Sequence, residues 1–359
     1  MKRWFREMRG ANPRVICLCL TLVGLGVVGF VWGAERHDGA GAVLGALMSS
    51  WLFFAGAVVG ALAFSAVMTL IGAGWARPMH AISTRLVTYL PAATLGLLAI
   101  CIGVSVHSVP SDTLGVGSAF FFSRELAGSL LLFGFGGLVL RPTLLASGDE
   151  TTRRPRWPLV TYSLIFAAVG SLWAFDLVLG PATHWISTLI GPHLFVGAFI
   201  TGAGVVLLIS IRQDLLSAEQ RSDAASLTLT LSIFWGYLFF SQLLTIWYGN
   251  LPDEVSFFIR RSVHGWQVVV LLVVAGVFVI PFLLLLRPGT RTSKRILTIA
   301  ASAQLVGLWL ERQLLVVPSL GGAKTTPIDA PSLLVDAGMA AVFILAVWPV
   351  LKRTRQRAA

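Results

Sequence analysis

Roughly ten apolar stretches, each long enough to cross a bilayer, constrain this 359-residue chain more than any other feature. They run about 15–33, 43–71, 87–107, 118–140, 159–180, 186–211, 225–248, 264–286, 295–316 and 332–351, most of them bounded by proline, glycine or charge clusters. A helix of about 20 apolar residues spans the hydrocarbon core. Lipid offers no partner to an open backbone, so segments of this length close their own hydrogen bonds as helices. The expected fold class is an all-α polytopic membrane protein of about ten transmembrane helices, a single integral membrane domain over residues 1–359. Only 12% of residues are charged, against about 25% in soluble domains. The first stretch follows Lys2, Arg3, Arg6, Arg9 and Arg14, with no small-x-small cleavage site leading into a soluble domain. It reads as a retained span rather than a cleaved signal.

Orientation follows from the basic residues. With the N-terminus in the cytoplasm, 21 of the 27 lysines and arginines fall on the inner side, among them Arg77, Arg85, Arg141, Arg212, Arg221, Arg287 and Lys294. Ten of the 16 acids fall on the other. The inner side then carries 21 bases against 6 acids, net +15, and the outer 6 bases against 10 acids, net −4. This obeys the positive-inside rule and calls for an even number of spans with both termini cytoplasmic. The overall +11 therefore reports topology, and no basic, aromatic-interleaved soluble segment exists to bind nucleic acid.

Independent soluble chemistry finds no support. Cys17, Cys19 and Cys101 lie within spans, without metal spacing or a haem-attachment motif, and read as small buried apolar residues. His37, His80, His107, His184, His193 and His264 are scattered, no two in one span at a spacing that would hold a haem. There is no P-loop, no glycine fingerprint after a strand and no HExxH. Gly56 with Gly60, Gly72 near Gly74, and Gly134 to Gly137 are expected to let helices approach closely. The polar connection 141–158 reads as an inner loop, and 317–331 as an outer turn rich in proline and glycine.

Ionisable groups at membrane depth are costly and are paired or functional. Arg124 and Glu125 are neighbours near the start of the fourth span, so they point about 100° apart and are expected to have separate partners. Asp176 lies near the outer end of the fifth span. Glu311 lies in the ninth, with Gln304 seven residues earlier on the same face and Arg312 directly after it. Glu311 is either one half of an ion pair with an arginine or a proton-carrying carboxyl. His184, in the outer turn PATHWIST, is close to Asp176 in sequence and titrates in the range a proton relay requires.

Residues 232–254, SIFWGYLFFSQLLTIWYGNLPDE, hold the densest polar and aromatic content of any span. Tyr237, Ser241, Thr245 and Tyr248 share about a quarter of the helix circumference, with Thr230 below them. Hydroxyls stacked this way are expected to face a helix bundle or a wet path. Trp235, Gln242 and Trp247 are candidate quinone contacts, two indole faces and an amide.

The segment FWGYLFFSQLLTIWYGNLPDE resembles the second NrfD-like (polysulfide-reductase-type) membrane subunit of bacterial alternative complex III, a quinol:cytochrome c/acceptor oxidoreductase. The family pattern FWAYxxFSQxxLIWYxNxPEE is matched in register by Phe234, Trp235, Tyr237, Phe240, Ser241, Gln242, Ile246, Trp247, Tyr248, Asn250, Pro252 and Glu254, with Asp253 a conservative change. Asp176 followed by His184-Trp185-Ile186-Ser187-Thr188 resembles the family's Asp and HWxST, again without a gap. VIPFLLLL at 279–286, WLERQLLVVP at 309–318 and GWARPMHAISTRL at 74–86 resemble further helices. The likeness covers most of 45–318 and is specific over 176–318. It departs at Ala182-Thr183, where the family has an acid and a proline, at Ser226 for a lysine, and at Leu308 for a histidine. The resemblance implies a bacterial cytoplasmic-membrane subunit that binds no cofactor of its own. It would pack in lipid beside a paralogous NrfD-like subunit and under periplasmic iron–sulfur and c-type haem subunits, with quinol the substrate of the complex.

Three functions are thereby expected or left open. The first is scaffolding with a proton path through Asp176, His184, Ser187, Tyr237, Ser241 and Glu311. The second is a quinone-binding membrane anchor of another NrfD-type oxidoreductase, using Trp235, Gln242 and Trp247. The third is a secondary transporter or structural scaffold. Broken helices with carboxylates at the bilayer midplane would mark transport, whereas the carboxyls here are biased to the outer half.

Overall fold

The computed structural model describes residues 13–36, 39–106, 118–145, 155–182, 185–321 and 325–352. Among them there are helices and turns and no strand. In chain order the α-helices are α1 (Pro13–Ala34), α2 (Gly39–Leu70), α3 (Arg77–Leu86), α4 (Leu90–Val106), α5 (Ser118–Phe135), α6 (Arg141–Leu145), α7 (Trp157–Trp173), α8 (Ile190–Arg212), α9 (Ala218–Gly249), α10 (Pro252–Arg260), α11 (Trp266–Val274), α12 (Ile280–Leu285), α13 (Lys294–Leu320) and α14 (Ala330–Lys352). Nine helical runs among the described residues are long and apolar enough to cross a membrane. The 27-residue α13 is long enough for a tenth span but misses on composition, because Gln304, Glu311, Arg312 and Gln313 interrupt it. The chain is a multi-pass helical membrane protein.

Three spans change pitch, and each does so two residues ahead of a proline. The π segments Gly136–Leu140, Ala174–Leu179 and Ala275–Val279 precede Pro142, Pro181 and Pro281. A proline has no N–H and its ring clashes with the carbonyl four residues back. Widening the helix by one residue relieves that clash. The second of these segments carries Asp176.

Helix α2 lies at the centre and is buried nearly all round. It packs against α1, α3, α4, α7, α8, α13 and α14. Small residues make this possible. A Cβ on Gly60 would meet the Ala198 carbonyl oxygen at 2.0 Å, and one on Gly202 would meet the Ala61 nitrogen at 2.0 Å. The expected close approach at Gly56 and Gly60 is therefore the α2–α8 contact. The other glycine runs do different work: Gly72, at φ +72°, follows the end of α2, where a side chain would be strained. Gly74 and Gly134 face open space.

The end of the 232–254 block is built as a stop and a restart. Ser217 and Gln220 open α9 with a reciprocal capping box. Asn250 closes it in the left-handed conformation, φ +47°. Pro252 then starts α10 at a first-turn position, where no N–H is needed. From α10, Phe257 stacks on Trp185 at 3.6 Å, joining the NLPDE exit to the HWxST turn.

Candidate functional site: buried carboxyls around α13

Helix α13 sends three consecutive polar side chains in three directions. Glu311, Arg312 and Gln313 follow one another at about 100° steps, and all three are buried. Glu311 faces α8 and α9: its Oε1 lies 2.6 Å from His193 Nε2 and accepts from Trp235 Nε1 at 2.7 Å. Its Oε2 is 3.3 Å from Arg312 Nη1. Arg312 turns towards α8, where Nη2 donates to the Leu194 carbonyl at 3.4 Å. Space for that guanidinium exists only because residue 197 is glycine: a Cβ there would lie 2.2 Å from Arg312 Nη2. His193 and Gly197 are one turn apart on α8, so a single helix face supplies both the imidazole and the vacancy.

The charges of this cluster balance. Arg312 is the fixed cation and Glu311 its counter-charge. His193, 2% exposed, sits against the same Glu311 oxygen, and its Nδ1 has no hydrogen-bond partner among the described residues. With Glu311 ionised, the proton of the pair sits on Nε2 and Nδ1 is the vacant acceptor. A short carboxyl–imidazole pair of this kind can pass a proton between its members and accept one more at Nδ1.

Seven residues earlier on α13, Gln304 Nε2 donates to Ser232 Oγ on α9 at 2.9 Å. On the opposite side, Gln313 bridges two helices. Its Oε1 accepts from Ser49 Oγ of α2 at 2.8 Å, and its Nε2 donates to Asp336 Oδ1 of α14 at 2.9 Å. Ser50 Oγ donates to the same Asp336 oxygen at 2.6 Å.

A separate cluster joins α5 to the π segment after α7. Arg124 Nε donates to Asp176 Oδ2 at 2.9 Å, and Nη2 pairs with Oδ1. Glu125, fully buried, lies against the same Asp176 carboxyl. Neither of its oxygens makes a hydrogen bond of good geometry among the described residues. The expectation of separate partners for Arg124 and Glu125 is corrected here: both converge on Asp176, because the widened turn projects that side chain between them. Two carboxyls thus lie against each other, with the guanidinium bonded to Asp176.

The candidate residues read from the sequence divide into those the fold gathers and those it scatters. Asp176 and Glu311 are buried at the centres of their clusters. His184 lies outside the described residues, and Ser187 is half-buried in the turn beyond it. Tyr237, 64% exposed, and the half-buried Ser241 are not drawn into the Glu311 cluster. The stripe they share with Thr230, Thr245 and Tyr248 faces away from the bundle, against expectation. The physical reason is local: Thr245 Oγ1 donates to the Ser241 carbonyl at 3.1 Å and Thr230 Oγ1 to the Ser226 carbonyl at 2.9 Å. Hydroxyls that satisfy themselves one turn back need no neighbouring helix. The buried face of α9 is instead Thr228, Ser232, Trp235, Gln242 and Ile246. Trp235, Gln242 and Trp247 do not converge: Trp235 is committed to Glu311, Gln242 is buried, and Trp247 is 74% exposed on another face.

Sequence reasoning passed over His193 and Asp336. A histidine on the apolar face of GPHLF and a carboxyl within VDAGM were the signals available.

The fold and these clusters define a polytopic helical membrane protein with ionisable groups buried at membrane depth. Neither protein-family models nor curated proteins give any match to the chain.

Proposed function

We propose that the chain is a membrane subunit, without a redox cofactor of its own, of a bacterial quinol-oxidising respiratory complex, and that it handles protons at Glu311 and His193. The observation that carries this reading is the 2.6 Å Glu311–His193 pair, held by Trp235 and neutralised by Arg312. A merely structural ion pair would be complete with Arg312 alone; the imidazole adds a second group able to hold the proton, 2.6 Å from the carboxyl. The Arg124–Asp176–Glu125 set is a second station, between the fourth and fifth spans. The quinol chemistry itself rests on the resemblance over 176–318, as do the partners: a paralogous NrfD-like subunit and iron–sulfur and c-haem subunits on the acidic face.

The test uses the complex purified in mild detergent and reconstituted in liposomes. Glu311→Gln and Asp176→Asn are expected to leave quinol oxidation, with the two protons each quinol must release, within about twofold of wild type, while the protons carried across the membrane per quinol fall by tenfold or more. An unchanged number of protons carried across the membrane per quinol in both variants refutes the proton-handling role. Isolation of the chain without iron–sulfur and c-haem subunits refutes the respiratory assignment separately.

A further inference from the structure

A groove of about 510 Å³ opens beside Asp336, between α2, α8, α13 and α14. Its walls include Phe53, Phe54, Leu305, Trp309 and Ala340. Val306 and Leu333, on its rim, are exposed, so the groove opens sideways onto the lipid-facing surface. Asp336 is the acid among its lining residues and is 8% exposed. The carboxyl is held from behind, because Ser50 Oγ and Gln313 Nε2 both donate to Oδ1. Oδ2 has no hydrogen-bond partner among the described residues, and neither has the indole N–H of Trp309 across the groove. Asp336 lies six residues into α14, about 9 Å along the helix from its start, too deep for a lipid phosphate at the surface. An acceptor oxygen set in an apolar wall at that depth is costly unless a donor reaches it. Small-molecule sites combine an apolar cleft with a few fixed polar groups in this way.

We propose that this groove binds a membrane-dissolved amphiphile through a hydroxyl group, which donates to Asp336 Oδ2 while its ring or chain lies along Phe53, Phe54 and Trp309. The site does not depend on the proton-handling reading, since it shares no residue with the Glu311–His193 pair. Gln313 orients the carboxyl from the same helix that carries Glu311, but it faces α2 and α14 rather than α8 and α9.

The orientation of Asp336 makes a sharp test available. In Asp336→Asn the carbonyl oxygen keeps the two donors behind it, which turns the amide NH₂ into the groove in place of Oδ2. A ligand hydroxyl then loses its acceptor, and a ligand carbonyl gains a donor. Binding to the full-length chain in nanodiscs is measured by native mass spectrometry with three probes: decylhydroquinone, the corresponding decylquinone, and farnesol as an aliphatic alcohol. Wild type is expected to bind decylhydroquinone at least tenfold more tightly than decylquinone, and Asp336→Asn to reverse that order. Ala340→Trp, which leaves the polar cluster intact and fills the groove, is expected to abolish binding of all three without changing the circular dichroism spectrum. Farnesol binding that depends on Asp336 makes any hydroxyl sufficient; its absence, with decylhydroquinone retained, narrows the class to phenols. Equal binding of the two quinone forms by wild type, or an unchanged order in Asp336→Asn, overturns the proposal.

Discussion

Replacing Arg261 by methionine is expected to destabilise the fold by about 3 kcal/mol, and the structure shows where that figure comes from. Pro318 lies inside α13 and has no N–H, so the Leu314 carbonyl four residues back loses its helical donor. Arg261 supplies the replacement: Nε donates to the Leu314 carbonyl at 2.8 Å and Nη2 to the Leu315 carbonyl at 2.7 Å. Its Nη1 donates to the Phe257 carbonyl at 2.9 Å, and that carbonyl too lacks a helical donor, because the Arg261 N–H goes to Phe258 instead. Methionine preserves the apolar stem and leaves two buried carbonyls unpaired. Each costs about 1–3 kcal/mol, partly offset because a buried guanidinium no longer has to be desolvated. With an unfolding entropy of about 2 cal/mol/K per residue, 3 kcal/mol lowers Tm by about 4 °C. Helices that stay helical in detergent reduce that entropy, so the shift is at least this large. Thermal unfolding in micelles, followed by tryptophan fluorescence, measures it. Pro318→Ala returns an N–H to Leu314, so it is expected to recover about half the loss in the Arg261→Met background and to be near neutral alone. A shift below about 1 °C for Arg261→Met, or no recovery in the double variant, would refute the account.

Two further outcomes follow from single contacts. Gly197→Ala places a Cβ 2.2 Å from Arg312 Nη2; it is expected to drive the guanidinium off Glu311 and lower Tm by several degrees, whereas Gly134→Ala, which faces open space, is neutral in the same assay. Outside the spans, Lys294 holds the Asp214 carboxyl below the ordinary aspartate range by hydrogen bond and charge. Because the folded pKa is the depressed one, any stabilisation from this exposed pair is present above about pH 4 and fades as pH falls through the folded value. Carbon-detected NMR titration should show the Asp214 pKa rising towards the ordinary value in Lys294→Gln, and an unmoved pKa would count against the pairing.

Much of the fold was legible in the residues themselves because lipid simplifies the problem. Long apolar runs have one outcome in a bilayer, so fold class and approximate span positions followed from hydropathy alone. The capping residues Ser217 and Gln220 and the restart at Pro252 are equally local. The faces of the helices were not legible. In water a polar face marks the outside, but in a bilayer the lipid-facing and protein-facing sides are both apolar, and hydroxyls such as those of Thr230 and Thr245 bond to their own helix. The Tyr237–Tyr248 stripe therefore looked inward on a helical wheel and faces outward in the molecule.

What the sequence alone determined, then, is that Asp176 and Glu311 are carboxyls within spans, and that such groups require partners. Which partners they have was decided only by the tertiary structure. His193 and Glu311 are 118 residues apart, Arg124 and Asp176 are 52, and Ser50 and Asp336 are 286. These pairs meet because α8 packs on α13, α5 on α7 and α2 on α14, a steric fit between distant segments that no local pattern encodes.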